Sequence, residues 1–448
     1  MQPEQTELDS APPPPPIKVA LAGAGVVGAG VLRLLSRHAE IIAARCGRRI
    51  EVCAVAVRDV NRARKRLPPE FAPLLAEGWR HAAAHPEADI TAELMGGETD
   101  ARECVIAALK NGKAVATANK ALLASRGDEI FAAARAAKKP VAFEAAVAGC
   151  IPAVKTLREA LAADDVYEVA GIINGTCNYI LSAMTREGRT FADALADAQA
   201  RGYAEADPSL DIDGADSAHK IALIARLAFN ARPSLGEFLT TGLRDFDPRD
   251  VRYAAHFGFC VKMLAQARRE KCGGVAISVQ PTLLARAHPM AAVGGAMNAI
   301  LARSVFAGET MYYGAGAGGD PTAAAVVADL MDIARGNGAL QMPRDGIASP
   351  PVAPSDFRAP HFLRLRALDK PGVLAEIAGA LAAQRISIEA IHQHESAPGK
   401  QVDIVMLLHE NSRGRMDAAA AAIKNLETVF GDAVIMPIQR FDTPPAGR

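Results

Sequence analysis

The sequence predicts an α/β protein built from more than one domain, and three observations carry that prediction. The chain has 448 residues, too many for a single hydrophobic core. Near its start an apolar strand runs into a glycine turn and a helix, the opening of a parallel-sheet unit. Near its end, beyond a proline-rich segment, residues 359–440 read strand, helix, strand, strand, helix, strand.

Composition narrows the function. Lys plus Arg and Asp plus Glu both number 50, so no global field favours nucleic acid or an anionic membrane. The seven cysteines sit singly, without zinc spacing or a disulfide framework, and are expected to be reduced. Residues 1–16, "MQPEQTELDSAPPPPP", lack the basic start and apolar stretch of a signal peptide, and their proline run predicts an extended, disordered tail. No uncharged apolar segment reaches the ~18 residues of a membrane span. The expected location is the cytoplasm.

The first element is the strand Ile17–Ala22. It leads into Gly23-Ala24-Gly25-Val26-Val27-Gly28, a G-x-G-x-x-G turn, and Val26 to Arg37 follows with helical periodicity. Strand, glycine turn and helix form the context of a Rossmann dinucleotide fingerprint. Gly23 makes the tight turn, Gly25 lets the backbone approach a pyrophosphate at the helix N-terminus, and Gly28 allows close packing. The next strand, "RIEVCAVAVRD", ends on Arg58, with Arg62 and Lys65 close behind. An arginine there suits the 2′-phosphate of NADP, whereas Asp59 next door leaves room for NAD. "ADITAELMGG", 88–97, reads as a buried strand ending in glycines. "GKAVATANKALLA", 112–124, is another, with Asn119 and Lys120 at its end. Ligands of open α/β sheets bind beyond the carboxyl ends of strands, so Lys120 can meet the nicotinamide edge or a substrate oxygen, or can simply cap a strand.

The middle of the chain supplies a second, α+β domain. "PVAFEAAVAGCIPAVKTLREAL", 140–161, is a strand, a turn and a helix in which Glu144 interrupts an apolar run. A buried carboxylate wants a cation or donors. Backbone oxygens from the following glycine and alanine positions make a monovalent-cation site one reading, and backbone amides holding the carboxylate the other. "YEVAGIINGTCNYILSAM", 167–184, gives a strand, the turn Asn174-Gly175-Thr176 and a helix. That turn suits a ligand carboxylate or an Asx-type helix cap.

Helix 191–202 closes on Gly202 and is followed by a dense acidic segment. Glu205, Asp207, Asp211, Asp213 and Asp216 place five carboxylates within twelve residues before Lys220. An EF-hand register beginning at Ser209 puts Lys220 where a bidentate Glu is required, which rules out that calcium site. Asp216 and Lys220 share one face of the helix 216–230 at i and i+4.

Four of these segments, "GAGVVGAGV", "VATANKALLA", "GIINGTCNYIL" and "GYAEADPSLDIDGADSAHK", together resemble homoserine dehydrogenase. The resemblance runs in order from about residue 17 to 335 and extends through "NAILARSVFAGETMYYGAGAGGDPTAAAVVADL", whose glycine turn, 314–319 and including Gly318, is expected against the cofactor. It implies interconversion of L-homoserine and L-aspartate 4-semialdehyde with NADP(H) or NAD(H), within threonine, methionine and isoleucine biosynthesis. Lys220 matches the family's catalytic lysine and Lys120 the lysine beside the nicotinamide. Glu205 matches the residue that holds the substrate ammonium, and Asp211 and Asp216 match carboxylates lining the pocket. Asn174 and Gly175 fall on the substrate turn. Glu144, with the backbone oxygens of Val147, Gly149 and Ile151, matches a site for Na⁺ or K⁺. The chemistry is consistent: an α-ammonium needs a carboxylate, and the reacting oxygen needs a proton shuttle and a donor for developing alkoxide charge. The resemblance also suggests a homodimer or homotetramer.

"GIASPPVAPSD", 346–356, reads as a linker. After it, Asp369 is a candidate N-cap, Pro371 a first-turn proline, and a second helix runs from about Met416 to Val429. The βαββαβ order with "DKPGVL" after the first strand resembles an ACT domain, which implies an amino-acid effector, with L-threonine the natural candidate. A dimerisation module without a ligand is the alternative. The predicted organisation is a tail at 1–16, a nucleotide domain at 17–145 plus about 310–340, and a substrate and dimerisation domain at 146–309. A linker at 346–358 and the ACT domain at 359–440 complete it. Residues 1–16 leave no room for an aspartate kinase domain, so a monofunctional enzyme is the expectation. Two other functions stay open: another amino-acid or semialdehyde oxidoreductase on this scaffold, and a non-catalytic amino-acid sensor.

Overall fold

The computed structural model describes residues 14–337, 348–393 and 399–441, which divide into two compact units. One comprises the chain up to Cys150 together with Gly318–Met342, and the other Ile151–Ala317 with Pro343 onward. The tail expected at 1–16 lies outside the described residues up to position 13, as do residues 346 and 347 of the expected linker.

The first unit runs β1 (Ile17–Ala22), α1 (Val26–Arg37), α2 (Ala39–Cys46), β2 (Ile50–Val57), α3 (Val60–Arg66) and β3 (Leu75–Glu77). It continues through α4 (Trp79–Ala84), β4 (Ile90–Glu93), α5 (Thr99–Lys110), β5 (Ala114–Thr117), α6 (Lys120–Ala137) and β6 (Val141–Ala142). The strands are parallel, in the order β3-β2-β1-β4-β5-β6. Every residue of β4 and β5 is buried, and because successive side chains point to opposite faces, both faces of the sheet are covered. The order reverses between β1 and β4, and this is where a ligand crevice is expected in such sheets.

The second unit contains α7 (Ala153–Lys155), which continues as a π-helical turn to Ala160, then β7 (Val166–Ile172), α8 (Gly175–Glu187), α9 (Phe191–Ala200) and α10 (Ser209–Ile212). After these come α11 (Ala215–Phe229), β8 (Leu239–Thr240), α12 (Pro248–His256), β9 (Phe259–Arg269), β10 (Val275–Ala285), β11 (Met297–Ser304) and β12 (Gly308–Ala315). The chain returns to the first unit as α13 (Gly319–Ala334). It then completes the second with β13 (Arg358–Leu368), α14 (Val373–Ala383), β14 (Ile388–Gln393), β15 (Gln401–Ser412), α15 (Arg413–Lys424) and β16 (Val429–Gln439).

The C-terminal module has the expected βαββαβ order around its own core of Leu363, Leu365, Ile377, Leu381, Ile404, Met406 and Ile423. Its sheet is not separate from the rest of the unit. β16 pairs in parallel with β10 through Leu283–Ile438 and Leu284–Gln439, giving one ten-stranded sheet that includes β8. The expected linker is held as well: Ser349 and Pro351 bridge to Ala231 and Val275, and Phe357 is buried.

Two helix boundaries differ from expectation. Asp369 does not cap α14. The chain turns at Gly372, which has φ 95 and is the N-cap, so Pro371 lies outside the helix. The expected helix over 416–429 is instead Arg413–Lys424, because Val429 already pairs with Ala367 as the start of β16.

Candidate active site

In the first unit the glycine turn behaves as its spacing predicts. Gly23 has φ 103, and a Cβ there would lie 2.6 Å from the carbonyl oxygen of Leu94, at the end of β4. A Cβ on Gly28 would lie 2.4 Å from the Gly23 carbonyl, so the two glycines permit a contact between turn and helix that no other residue allows. Gly25 is different. A Cβ there would meet nothing within 4 Å, and no side chain caps α1. Open space over the N-terminal amides of α1 is what an incoming phosphate requires, so these residues fit a dinucleotide.

α13 supplies a second wall. A Cβ on Gly319 would be 2.6 Å from Val26 Cγ1, and one on Gly30 would be 2.9 Å from Ala323 Cβ. The Gly318–Gly319 turn therefore abuts Val26 in the glycine loop, far away in sequence. Arg58 and Arg62 are exposed just beyond β2, where Asp59 caps α3 through the Arg62 amide at 2.8 Å.

The carboxyl ends of β4 and β5 carry a network that the sequence reading did not single out. Glu93, fully buried, accepts from Thr117 Oγ1 at 2.7 Å and from the Met95 amide at 2.9 Å. Burial pushes its carboxyl up against the pull of these donors. Thr117 in turn accepts from the Asn119 amide, and Asn119 Nδ2 donates to the Gly97 carbonyl at 2.7 Å. The side chains of Asn119 and Glu93 thus hold the Met95–Gly97 turn, with Lys120 the first residue of α6 beside it. A carboxylate closing a strand that reads as buried was the signal available for Glu93.

Glu144 is buried within a 3-10 turn, Glu144–Ala146. Ala148 and Gly149 follow with φ 54 and 62, and an alanine held left-handed marks strain at this loop. Among the described residues no three His, Cys, Asp or Glu side chains gather as a metal cluster. One carboxylate with carbonyl oxygens suits a weakly bound monovalent ion better than a divalent one.

In the second unit the turn after β7 and the acidic segment come together. Asn174 is the N-cap of α8, its Oδ1 accepting from the Cys177 amide at 2.8 Å. Its Nδ2 donates to Asp211 Oδ1 at 2.7 Å and to Asp216 Oδ2 at 3.0 Å. Thr176 Oγ1 reaches Asp211 Oδ2 at 3.0 Å. Lys220, only 7% exposed, donates to Asp216 Oδ2 at 2.7 Å and to the Ile173 carbonyl at 2.6 Å. A carboxamide thus orders two carboxylates and a buried ammonium around one helix N-terminus.

The other acidic residues are not part of this group. Asp207 accepts from the Ser209 amide and hydroxyl and so shapes the turn into α10. Asp213 pairs with Arg244 at the surface. Glu205 is exposed on the preceding loop, where its backbone carbonyl accepts from Gln199. The segment expected as loop contains the short helix α10, which brings Asp211 towards Asn174.

Comparison with known proteins gives this arrangement a family. Residues 152–331 match the family model described as homoserine dehydrogenase, and residues 23–144 match its NAD binding domain. Homoserine dehydrogenase from Pseudomonas aeruginosa is 42% identical over 437 residues, covering 95% of this chain and 100% of that protein. The chain belongs to the homoserine dehydrogenase family. The enzyme is therefore an oxidoreductase, with a nucleotide-binding domain of Rossmann type. The relative from Neisseria gonorrhoeae is 41% identical, over 92% of this chain and 96% of its own. A crystal structure of a homoserine dehydrogenase from Thiobacillus denitrificans superposes with a TM-score of 0.88 at 43% identity, covering 95% of this chain and 99% of that one. Residues 361–428 of the enzyme match the ACT domain.

Proposed function

We propose that this homoserine dehydrogenase interconverts L-homoserine and L-aspartate 4-semialdehyde, in threonine, methionine and isoleucine biosynthesis, with Lys220 moving the proton. The observation that carries the reading is the network Asn174, Asp211, Asp216 and Lys220. Asp216 and the Ile173 carbonyl hold two of the Lys220 donor directions, which orients the Nζ and leaves its remaining position for the reacting oxygen. In the oxidative direction neutral Nζ takes the hydroxyl proton as the hydride leaves the carbinol carbon. In the reductive direction the ammonium returns it. The nicotinamide, when bound, accepts or supplies that hydride.

Glu205 neutralises the substrate ammonium, and its exposed carboxylate is free of the Asp211 cluster for that task. Asn174 and Gly175 offer the α8 N-terminus to the substrate carboxylate. Lys120 serves the nicotinamide side, with the Gly23–Gly28 loop and Gly318 holding the pyrophosphate. Arg58 and Arg62 favour NADP through its 2′-phosphate. Glu144, with the carbonyls of Val147, Gly149 and Ile151, takes Na⁺ or K⁺.

Threonine acting through the ACT module is the proposed feedback. Its support is physical continuity, since β16 pairs with β10 and the buried Arg364 of β13 grips Asp250 of α12 at 2.5 and 3.0 Å. The assembly is a homodimer or homotetramer in the cytoplasm. Among the described residues no helix is long and apolar enough to cross a membrane.

The deciding experiment follows reduced-nicotinamide absorbance with homoserine and NADP⁺. Homoserine-dependent reduction is expected, and its absence overturns the reading.

A further inference from the structure

Lys262, on β9, is 5% exposed and has no carboxylate partner among the described residues. Its Nζ donates to the Val293 carbonyl at 2.5 Å and to Asn178 Oδ1 at 3.2 Å. Burial lowers its pKa, against an opposing pull from Cys260, and the Arg186 guanidinium also lowers it. A methionine would fill the space at no such cost, so the ammonium group must be judged by what it holds.

It holds the loop Val293–Met297, which lies along one stripe of α8. Gly175, Asn178, Ser182 and Arg186 recur at helical spacing and all face that loop. A Cβ on Gly175 would stand 2.7 Å from the Ala296 carbonyl. Asn178 Nδ2 donates to the Val293 and Met297 carbonyls at 3.3 and 2.9 Å. The Gly295 amide donates to Ser182 Oγ at 3.1 Å, and a Cβ on Gly294 would meet Arg186 at 2.5 Å. Lys262 closes the arrangement from β9, fastening Asn178 and Val293 at once. The N-cap of the same helix is Asn174, whose amide orders Asp211 and Asp216.

We propose that Lys262 is a positioning residue, a buried clamp that fixes the α8 turn to the Val293–Met297 loop and so sets the substrate side of the active site. It touches neither substrate nor cofactor. The proposal rests on the homoserine reading above. A misplacement of about an ångström in such a turn costs roughly 10–100-fold in kcat/KM for the substrate.

The test uses full-length Lys262→Met and Asn178→Ala beside wild type, with KM for homoserine and for the nicotinamide cofactor and kcat measured separately. The expected result is a homoserine KM raised about tenfold or more, with the cofactor KM within about twofold. The double variant should be no worse than the worse single one, because both act on the same loop. A fall in kcat alone, or an equal rise in both KM values, means a merely structural lysine and overturns the proposal. If Lys262→Met does not fold, Asn178→Ala decides: an unchanged homoserine KM overturns it. Wild type without homoserine turnover would instead sink the functional reading, a result separable from any of these.

Discussion

Asp216 Oδ2 lies 2.7 Å from the Lys220 ammonium, one helical turn away on α11 and with both side chains largely buried. An exposed pair at this spacing contributes little, about 0.3–0.5 kcal/mol. Here the pair also receives Asn174, so its role is to orient the lysine. Lys220→Ala should reduce kcat about 100-fold or more while the homoserine dissociation constant changes little. Steady-state rates with equilibrium binding check this, and retained turnover would remove Lys220 from the mechanism.

Asn174 should act through the carboxylates. Asn174→Ala leaves Asp211 and Asp216 without their shared donor and removes the α8 cap. The cap alone is worth about 1 kcal/mol of stability. A larger loss in kcat/KM than that stability loss explains, with Lys220 intact, is the expected outcome in paired kinetic and thermal-unfolding measurements.

Cofactor choice should turn on Arg58. Arg58→Glu removes a partner for a 2′-phosphate and offers an acceptor to a ribose hydroxyl. The ratio of kcat/KM for NADP⁺ over NAD⁺ should fall by about tenfold or more, equivalent to about 1.4 kcal/mol. An unchanged ratio would place the selectivity elsewhere.

Feedback should depend on the contact between β13 and α12. Breaking it from one side, as in Arg364→Met, buries Asp250 unpaired and should cost about 3–5 kcal/mol. Replacing both partners, Arg364→Met with Asp250→Leu, should restore much of that stability yet weaken threonine inhibition. Threonine titrations of the double variant and wild type make the comparison, and identical inhibition curves would exclude this route.

The C-terminal module should be acid-sensitive through His361. Burial, and then the nearby Arg413 charge, holds its imidazole down at about 4 from an ordinary 6.5. The unfolded chain therefore takes up this proton first. The stability of the neutral ring is complete above the unfolded value and is lost as pH falls from about 6.5 towards 4, by an amount on the order of 3 kcal/mol. Urea midpoints across that window should fall more steeply for wild type than for His361→Phe.

Much of this protein is local and so was readable before folding. The Gly23–Gly28 turn, the Asp216–Lys220 spacing and the βαββαβ periodicity each rest on neighbours within a few residues. Other features depend on partners brought from elsewhere in the chain. Gly372 rather than Asp369 starts α14 because of a backbone conformation that no pattern announces. Lys262 reads as an ordinary lysine in an apolar strand until Asn178 and Val293 close around it. Asp211 and Asp213 are equivalent in sequence, and only α10 turns one towards Asn174 and leaves the other to Arg244.

The pairing of β10 with β16 bears on how the chain matures. β16 is the last of these strands to emerge from the ribosome, yet it lies between β10 and β13, both made earlier. Until it is delivered, β13 lacks its β16 partner and β10 lacks one at Leu283 and Leu284, unpaired backbone that offers a template for association with another nascent chain. The sheet closes only once Val429–Gln439 has been made, so a chain truncated before Val429 would leave its two halves unjoined.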